Sequence, residues 1–401
     1  MIEKYYNGVI EQVAGGIGNV EHNSILVRYS NDFSIWDLES VNHYKDQTDI
    51  FFTCHEFSYN KIAEAYEPYL GLIRQMFHKY CSGTLEEFME ECDVYKLQRP
   101  VFESYFEKGF CERTEQILID EVEYEQERMH SSIVTMLQKL SEICPIVIVL
   151  NRFQLASKST MQLTNRLLQT KNKNIGIVLG VNDVQSIPEF AHEEWDAICE
   201  SMDDRNMVYH IGNAGRNMEP DYSDYESDDG YRKLNNLVYF LDFDQADHHL
   251  SKIERRIKFD NFTISEKKHY QLLLLQIMVS VLQRDIAKAL ESCEDLEKLQ
   301  DQEKEGAFYY NFWMATSYMY LGKLEEAMIY VQKAKECGEA LGDDFLVFRA
   351  ELLKAQNQMS GWCNIFFCAQ DIEISDKLIE KLNAYHYKNH LAHIYIYAYD
   401  N

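Results

Sequence analysis

From Cys144 the chain reads Cys-Pro-Ile-Val-Ile-Val-Leu-Asn-Arg, with five apolar residues in succession, Ile146 to Leu150. Continuous apolarity, rather than alternation, is what a strand covered on both faces requires. A second such run stands at Ile175–Val181, and Ser157–Leu168 between them has helical spacing. The pattern predicts a parallel strand–helix–strand unit. In open α/β sheets ligands bind beyond the carboxyl ends of the strands, so chemistry is expected at Asn151 and Arg152.

The rest of the chain fills in around this unit. Gly8–Val13 predicts a short strand running into a Gly-rich turn, Gly15-Gly16-Ile17-Gly18. Residues 21–50 show little regularity, and Thr48–Thr53 predicts another strand. A helix is expected over Pro68–Tyr80, where Leu70, Ile73 and Phe77 fall on one side. Residues 85–143 predict charged helices, the last with Ile133, Val134, Leu137 and Leu140 on one stripe beside the central strand. Leu237–Phe243 predicts a returning strand, and 244–257 the start of a helix. From Ser265 to Asn401 the pattern is of helices joined by short turns.

Composition narrows the class. With 401 residues, 46% apolar and 13% aromatic, the chain can build two or three cores. The formal net charge of -27 repels phosphate backbones, so no direct nucleic-acid binding is expected. Ten cysteines without a CxxC pair read as reduced thiols rather than disulfides or a zinc site. No apolar run approaches the length of a membrane span, and the first residues lack the plan of an export signal. A cytoplasmic protein is the expectation.

Candidate chemistry is sparse. Cys54 and His55 are adjacent on a predicted strand, so their side chains point to opposite faces and cannot form a compact metal or thiol site. Between Ala191 and Gly230 twelve acids stand against two arginines, including EPDYSDYESDDG at 219–230. Asp221, Asp224, Glu226, Asp228 and Asp229 do not reproduce the calcium-loop spacing, and the stretch reads as a solvated, mobile acidic loop. Nucleophile-elbow and HExxH motifs are absent. After Gly18 come Asn19 and Val20, which offer neither the charge nor the hydroxyl of a phosphate loop.

The helical half has an internal repeat. In 307–334, Ala315, Tyr318, Leu321, Gly322, Ala327 and Ala334 stand where a tetratricopeptide helix pair places its small and interlocking residues. Residues 282–296 read as the second helix of a similar unit, with Ala289 in the part of Ala327. Residues 348–362 read as the first helix of another, with Gly361 near its end. The aromatic segment 386–401 is either inter-helix packing or a surface for a further repeat or partner.

Taken together these stretches resemble the bacterial STAND-class P-loop ATPases, AAA-like modules followed by tetratricopeptide repeats in large transcriptional activators and cyclase-linked regulators. The resemblance rests on VAGGIGNV at 13–20, on 51–76, on CPIVIVLNRFQLASKSTMQLTNRLL at 144–168 and on 175–183. It implies an α/β P-loop NTPase-like domain (1–200) with a parallel sheet covered on both faces, then an acidic loop, last strand and linking helix (201–264). An all-α tetratricopeptide-like region (265–401) follows.

The departures shape the expected function. The family's phosphate lysine falls on Asn19 and its magnesium hydroxyl on Val20. Its magnesium-holding aspartate falls on Asn151, and the adjacent acid on Arg152. Phosphoryl transfer needs positive charge and magnesium on the phosphates, and both are missing here. The expectation is a non-catalytic regulator or scaffold, without a cofactor, that takes a protein or peptide partner on its 265–401 repeats. One alternative is an ATP- and magnesium-binding or weakly hydrolysing switch, with a basic residue such as Lys158, Arg152 or Arg28 reaching the pocket. Another is a truncated or partner-dependent transcriptional regulator, although no helix-turn-helix pattern is present.

Overall fold

A computed structural model describes the chain apart from Met1 and residues 19–22, 30–33, 46, 48, 59–60, 112–116, 118–120, 171, 183–186, 204–207, 212–224, 226, 261, 363–375, 386 and 388–401. It divides into two compact units, one of residues 1–112 and 123–245 and one of residues 113–122 and 246–401.

The first unit is built on a parallel sheet in the order β2-β3-β4-β1-β5, with β1 at Ser24–Tyr29, β2 at Phe51–Glu56, β3 at Ile146–Asn151, β4 at Ile175–Asn182 and β5 at Val208–Ile211. Every residue of β3 and β4 is buried, as their unbroken apolar runs require. Register aligns Glu56 with Asn151, and Tyr29 with Asn182, so the carboxyl ends of β1 to β4 share one edge. Helix α7 (Lys158–Thr170) joins β3 to β4, in the interval where helical spacing places it. Helices α3 (Tyr69–Tyr80), α4 (Leu85–Glu91), α5 (Arg99–Lys108) and α6 (Val122–Ile143) fill the β2–β3 connection. On α6, Ile133, Leu137 and Leu140 are fully buried, while Val134 lies at the margin of the stripe.

Two predicted strands are helices. Residues 8–13 belong to α1 (Ile2–Gly15), not to a strand. Tyr6, Val9, Ile10 and Val13 recur at helical spacing and pack on Val147, Val149 and Val178 of the sheet. Leu237–Phe243 is likewise not a strand. It spans the end of α9 (Asp228–Tyr239) and the turn into α10 (Phe243–Phe259). Ser227 caps α9 by accepting from the Gly230 amide, and Leu234, Leu237 and Val238 form its buried stripe. The stretch at 219–230 lies largely outside the described residues, and its end, Asp228–Gly230, is the first turn of α9.

The true first strand, β1, lies in the stretch with little regularity. Its apolar run is broken by Arg28, whose guanidinium rests 5.7 Å from the Trp195 ring of α8 (His192–Asp203) and donates to the Cys199 sulfur at 3.4 Å. A charged side chain lying along a helix in this way leaves the strand buried while its sequence reads as mixed. Helix α2 (Glu39–Lys45) follows β1 and packs beside α1.

The second unit is helical throughout its described residues: α11 (Glu266–Leu282), α12 (Ile286–Glu297), α13 (Gly306–Tyr320), α14 (Leu324–Leu341), α15 (Asp344–Trp362) and α16 (Asp376–Ala384), after most of α10. Successive helices pack as hairpins: α11 on α12, α13 on α14, α14 on α15. Ala289, Ala315, Ala327 and Ala334 are all 0% exposed, so the helices approach with no larger side chain between them. Gly322 takes φ +72°, a left-handed value that ends α13 and turns the chain into α14. Tyr318 stacks on Tyr330 of α14 with ring centroids 5.5 Å apart. Gly361 falls in the last turn of α15, and most of 386–401 lies outside the described residues.

Ser265 caps α11 by accepting from the Lys268 amide at 3.2 Å. Ser265→Ala is expected to cost about 1 kcal/mol, read as a lower urea midpoint of the second unit. Ser265→Asp should restore it.

Candidate functional site

The predicted Gly-rich loop is not part of any strand-to-helix junction. Gly15, Gly16 and Gly18 form the carboxyl-terminal turn of α1, where the Gly16 amide donates to Gln12 and Gly18 takes φ +93°. The Gly18 amide donates to the Lys173 carbonyl, which precedes β4, whereas Asn151 lies at the far end of the sheet. At about 3.3 Å per residue the two are separated by roughly 25 Å of strand, so they cannot share one nucleotide. Asn19 and Val20 lie outside the described residues. A phosphate loop belongs after the first strand and before its helix, which here is the stretch between Tyr29 and Glu39. That stretch contains no glycine, lysine or arginine.

The carboxyl edge of the sheet is instead closed by the chain's own side chains. Asn151 is 0% exposed, and its Oδ1 accepts from Tyr29 Oη at 2.8 Å and from Tyr6 Oη at 3.5 Å. Burial holds the Tyr6 hydroxyl far above its ordinary pKa, which keeps it a neutral donor. Gly180 of β4 lies under this pair, and a Cβ there would stand 2.1 Å from Tyr6 Oη and 2.6 Å from Asn151 Oδ1. The Asn151 Nδ2 atom is buried without a hydrogen-bond partner.

Arg152 takes φ 54°, an uncommon value for a residue with a side chain. Its guanidinium pairs with Glu56 Oε1 at 2.9 Å, and both side chains are largely buried. The other oxygen, Glu56 Oε2, accepts from the Ile35 amide at 3.0 Å and from Ser34 Oγ at 3.3 Å. An amide of the loop after β1 is where a phosphate oxygen would be received, and the chain's own carboxylate is bonded to it.

The amino terminus of α7 is filled in the same way. The Ser159 amide donates to Asp242 Oδ2 at 2.8 Å, and the Lys158 amide to Gln245 Oε1 at 3.0 Å. Burial pushes the Asp242 carboxyl up to about 6, against the pull of the Ser159 hydrogen bonds. Lys158 is held by Asp244 and Glu194. The three basic residues that could have reached a nucleotide are therefore engaged elsewhere: Lys158 with acids, Arg152 with Glu56, and Arg28 with Trp195 and Cys199.

These residues do not fit a magnesium nucleotide. The position matched to the magnesium aspartate is a buried amide locked between two phenols, and its neighbour is a cation. Cys54 packs into the core beneath α1, whereas His55 turns towards Phe57 and Glu67. Among the described residues no group of three His, Cys, Asp or Glu could hold a metal ion, and no helix is long and apolar enough to cross a membrane. Tyr6, Tyr29 and Gly180 carry no local signal in the sequence, because Tyr6 and Asn151 are 145 residues apart and nothing nearby links them. No protein-family model matches the chain, and comparisons with curated proteins and with solved structures find no match.

Proposed function

We propose that this chain is a non-catalytic regulator or scaffold of STAND/AAA-like descent. On this reading its α/β unit serves as architecture, and its tetratricopeptide-like hairpins take a protein or peptide partner. The observation that carries the reading is Glu56. It neutralises Arg152 and accepts the Ile35 amide, so an anion arriving after β1 meets a carboxylate already in place. Like charges at one donor disfavour each other, and no lysine of the loop offsets them. The small residues sealing the α13–α14 seam support the repeat assignment, since they leave the outer helix faces to contact something else.

Purified protein is expected to show no change in melting temperature with millimolar magnesium-ATP. A saturable shift with micromolar affinity would overturn the non-catalytic reading. For the repeats, a partner bound to the full chain should cross-link to residues 265–401. Cross-links confined to residues 1–245 would reject that part alone.

A further inference from the structure

Helices α6, α7 and α8 line an open cleft of about 660 Å³. Two of its walls are polar stripes at strict helical spacing: Glu123, Gln126, Glu127 and His130 on α6, and Gln162, Asn165, Arg166 and Gln169 on α7. Glu193 and Glu194 of α8 close the third side. The Asn151 region plays no part in it.

Part of the lining's donor set is used internally. Arg166 grips Glu127 with both ends of its guanidinium. Gln126 Nε2 donates to the Leu241 carbonyl at 2.7 Å, and Gln162 Nε2 to Glu194 Oε1 at 2.9 Å. What remains includes the carbonyl oxygens of those two glutamines, the Gln169 amide, and the carboxylates of Glu123 and Glu193, which make no ion pair among the described residues and leave the unpaired charge negative. Glu194 Oε2 is buried with no hydrogen-bond partner, although Lys158 stands 3.5 Å from Oε1. Asn165 spends its oxygen on Ser201 Oγ and keeps its amide as a donor.

His130 is the independent sign of a ligand. It lines the cleft, is only 6% exposed, and has no hydrogen-bond partner among the described residues. Burial and the nearby Arg166 push its pKa down to about 4, so at neutral pH one ring nitrogen is an acceptor. The ring is largely buried, yet its nitrogens are not sealed off, so they open onto the cleft where a donor can reach them.

We infer that the cleft between α6, α7 and α8 binds a donor-rich organic cation, an alkylammonium whose N–H groups meet Glu123, Glu193, Glu194 and His130. The ammonium can come from a free polyamine or from the lysines of a basic peptide.

Calorimetric titration of the full chain with spermidine and, separately, with a tri-lysine peptide tests this. Saturable one-to-one binding of either probe is expected, and the tighter one names the source. Glu123→Gln/Glu193→Gln should weaken it about tenfold or more, the scale of one lost charge-assisted contact. The charge-matched Glu90→Gln/Glu142→Gln, outside the cleft, should leave it unchanged. His130→Leu should weaken binding without changing the net charge at neutral pH. Absence of binding by both probes at millimolar concentration overturns the inference. Equal weakening in the two double variants does so too, since that is the signature of general attraction to an acidic surface.

Discussion

On lowering the pH from 7 to about 4, the two buried histidines of the α/β unit are expected to cost it several kcal/mol, a loss that begins near pH 6.5 and that buried acids of the same unit oppose. His55 and His130 are both held neutral by burial, their pKa values pushed down to about 4. Nearby Glu56 and Glu64 oppose the shift at His55, and Glu127 opposes it at His130. Above pH 6.5 both imidazoles are neutral in the folded and unfolded chain, so they make no difference. Below it the unfolded chain takes up protons that the folded chain refuses, and the loss grows until the folded pKa is reached. A shift of that size corresponds to about 3 kcal/mol per histidine. His55 keeps 23% of its side chain exposed and contributes the smaller share. Asp242 works the other way: its pKa, raised to about 6, makes proton uptake favour the folded chain between about 6 and 4. Glu64 and Glu67, raised by burial, add to that offset. Urea titrations at a series of pH values, in wild type and His130→Leu, measure the balance. The variant should lose less stability on acidification, and an equal loss in both proteins would show that His130 is not the sensor.

Gly180→Ala is expected to destabilise the same unit by about 3 kcal/mol, at the upper end of ordinary overpacking. The added methyl would lie 2.1 Å from Tyr6 Oη and 2.6 Å from Asn151 Oδ1, in a strand whose every residue is buried. Neither neighbour has room to withdraw: Tyr6 is 0% exposed on α1, and Asn151 is fixed by Tyr29. Tyr6→Phe removes the closer atom and a long 3.5 Å hydrogen bond. Gly180→Ala should therefore cost about half as much in the Tyr6→Phe background, an interaction energy of the size measured between touching residues. Strictly additive losses in the double-mutant cycle would mean that the strand, rather than Tyr6, absorbs the methyl.

Much of the fold was legible in the sequence where one physical demand dominates. Ile146–Leu150 and Ile175–Val181 are unbroken because both faces of β3 and β4 are covered, and the alanines at 289, 315, 327 and 334 mark helices in close contact. Legibility failed where two demands overlap. Arg28 serves Trp195 and hides a buried strand, whereas Gly8 and its neighbours suggested a strand although the stripe from Tyr6 to Val13 is helical. The apolar run at Leu237–Phe243 straddles a helix end, and no periodicity survives the turn at Leu241, where φ is 67°. The candidate site was half legible. Asn151 and Arg152 stand at the strand end expected of them, but the partners that close it come from α1, β1 and β2.

The position of β1 between β4 and β5 also sets an order of events in synthesis. Ser24 pairs with Ile177, and Leu26 with Val208, so the strand made first acquires both neighbours last. At about 5–20 residues per second, the chain from β1 to β4 takes on the order of ten seconds to emerge. During that interval Ile25, Leu26 and Val27 have no sheet to enter, and loop closure over so long a span is slow in its own right. A nascent chain arrested before residue 175 should therefore hold the strand in a form that holdase chaperones bind. Release should follow only once β4 has left the ribosome.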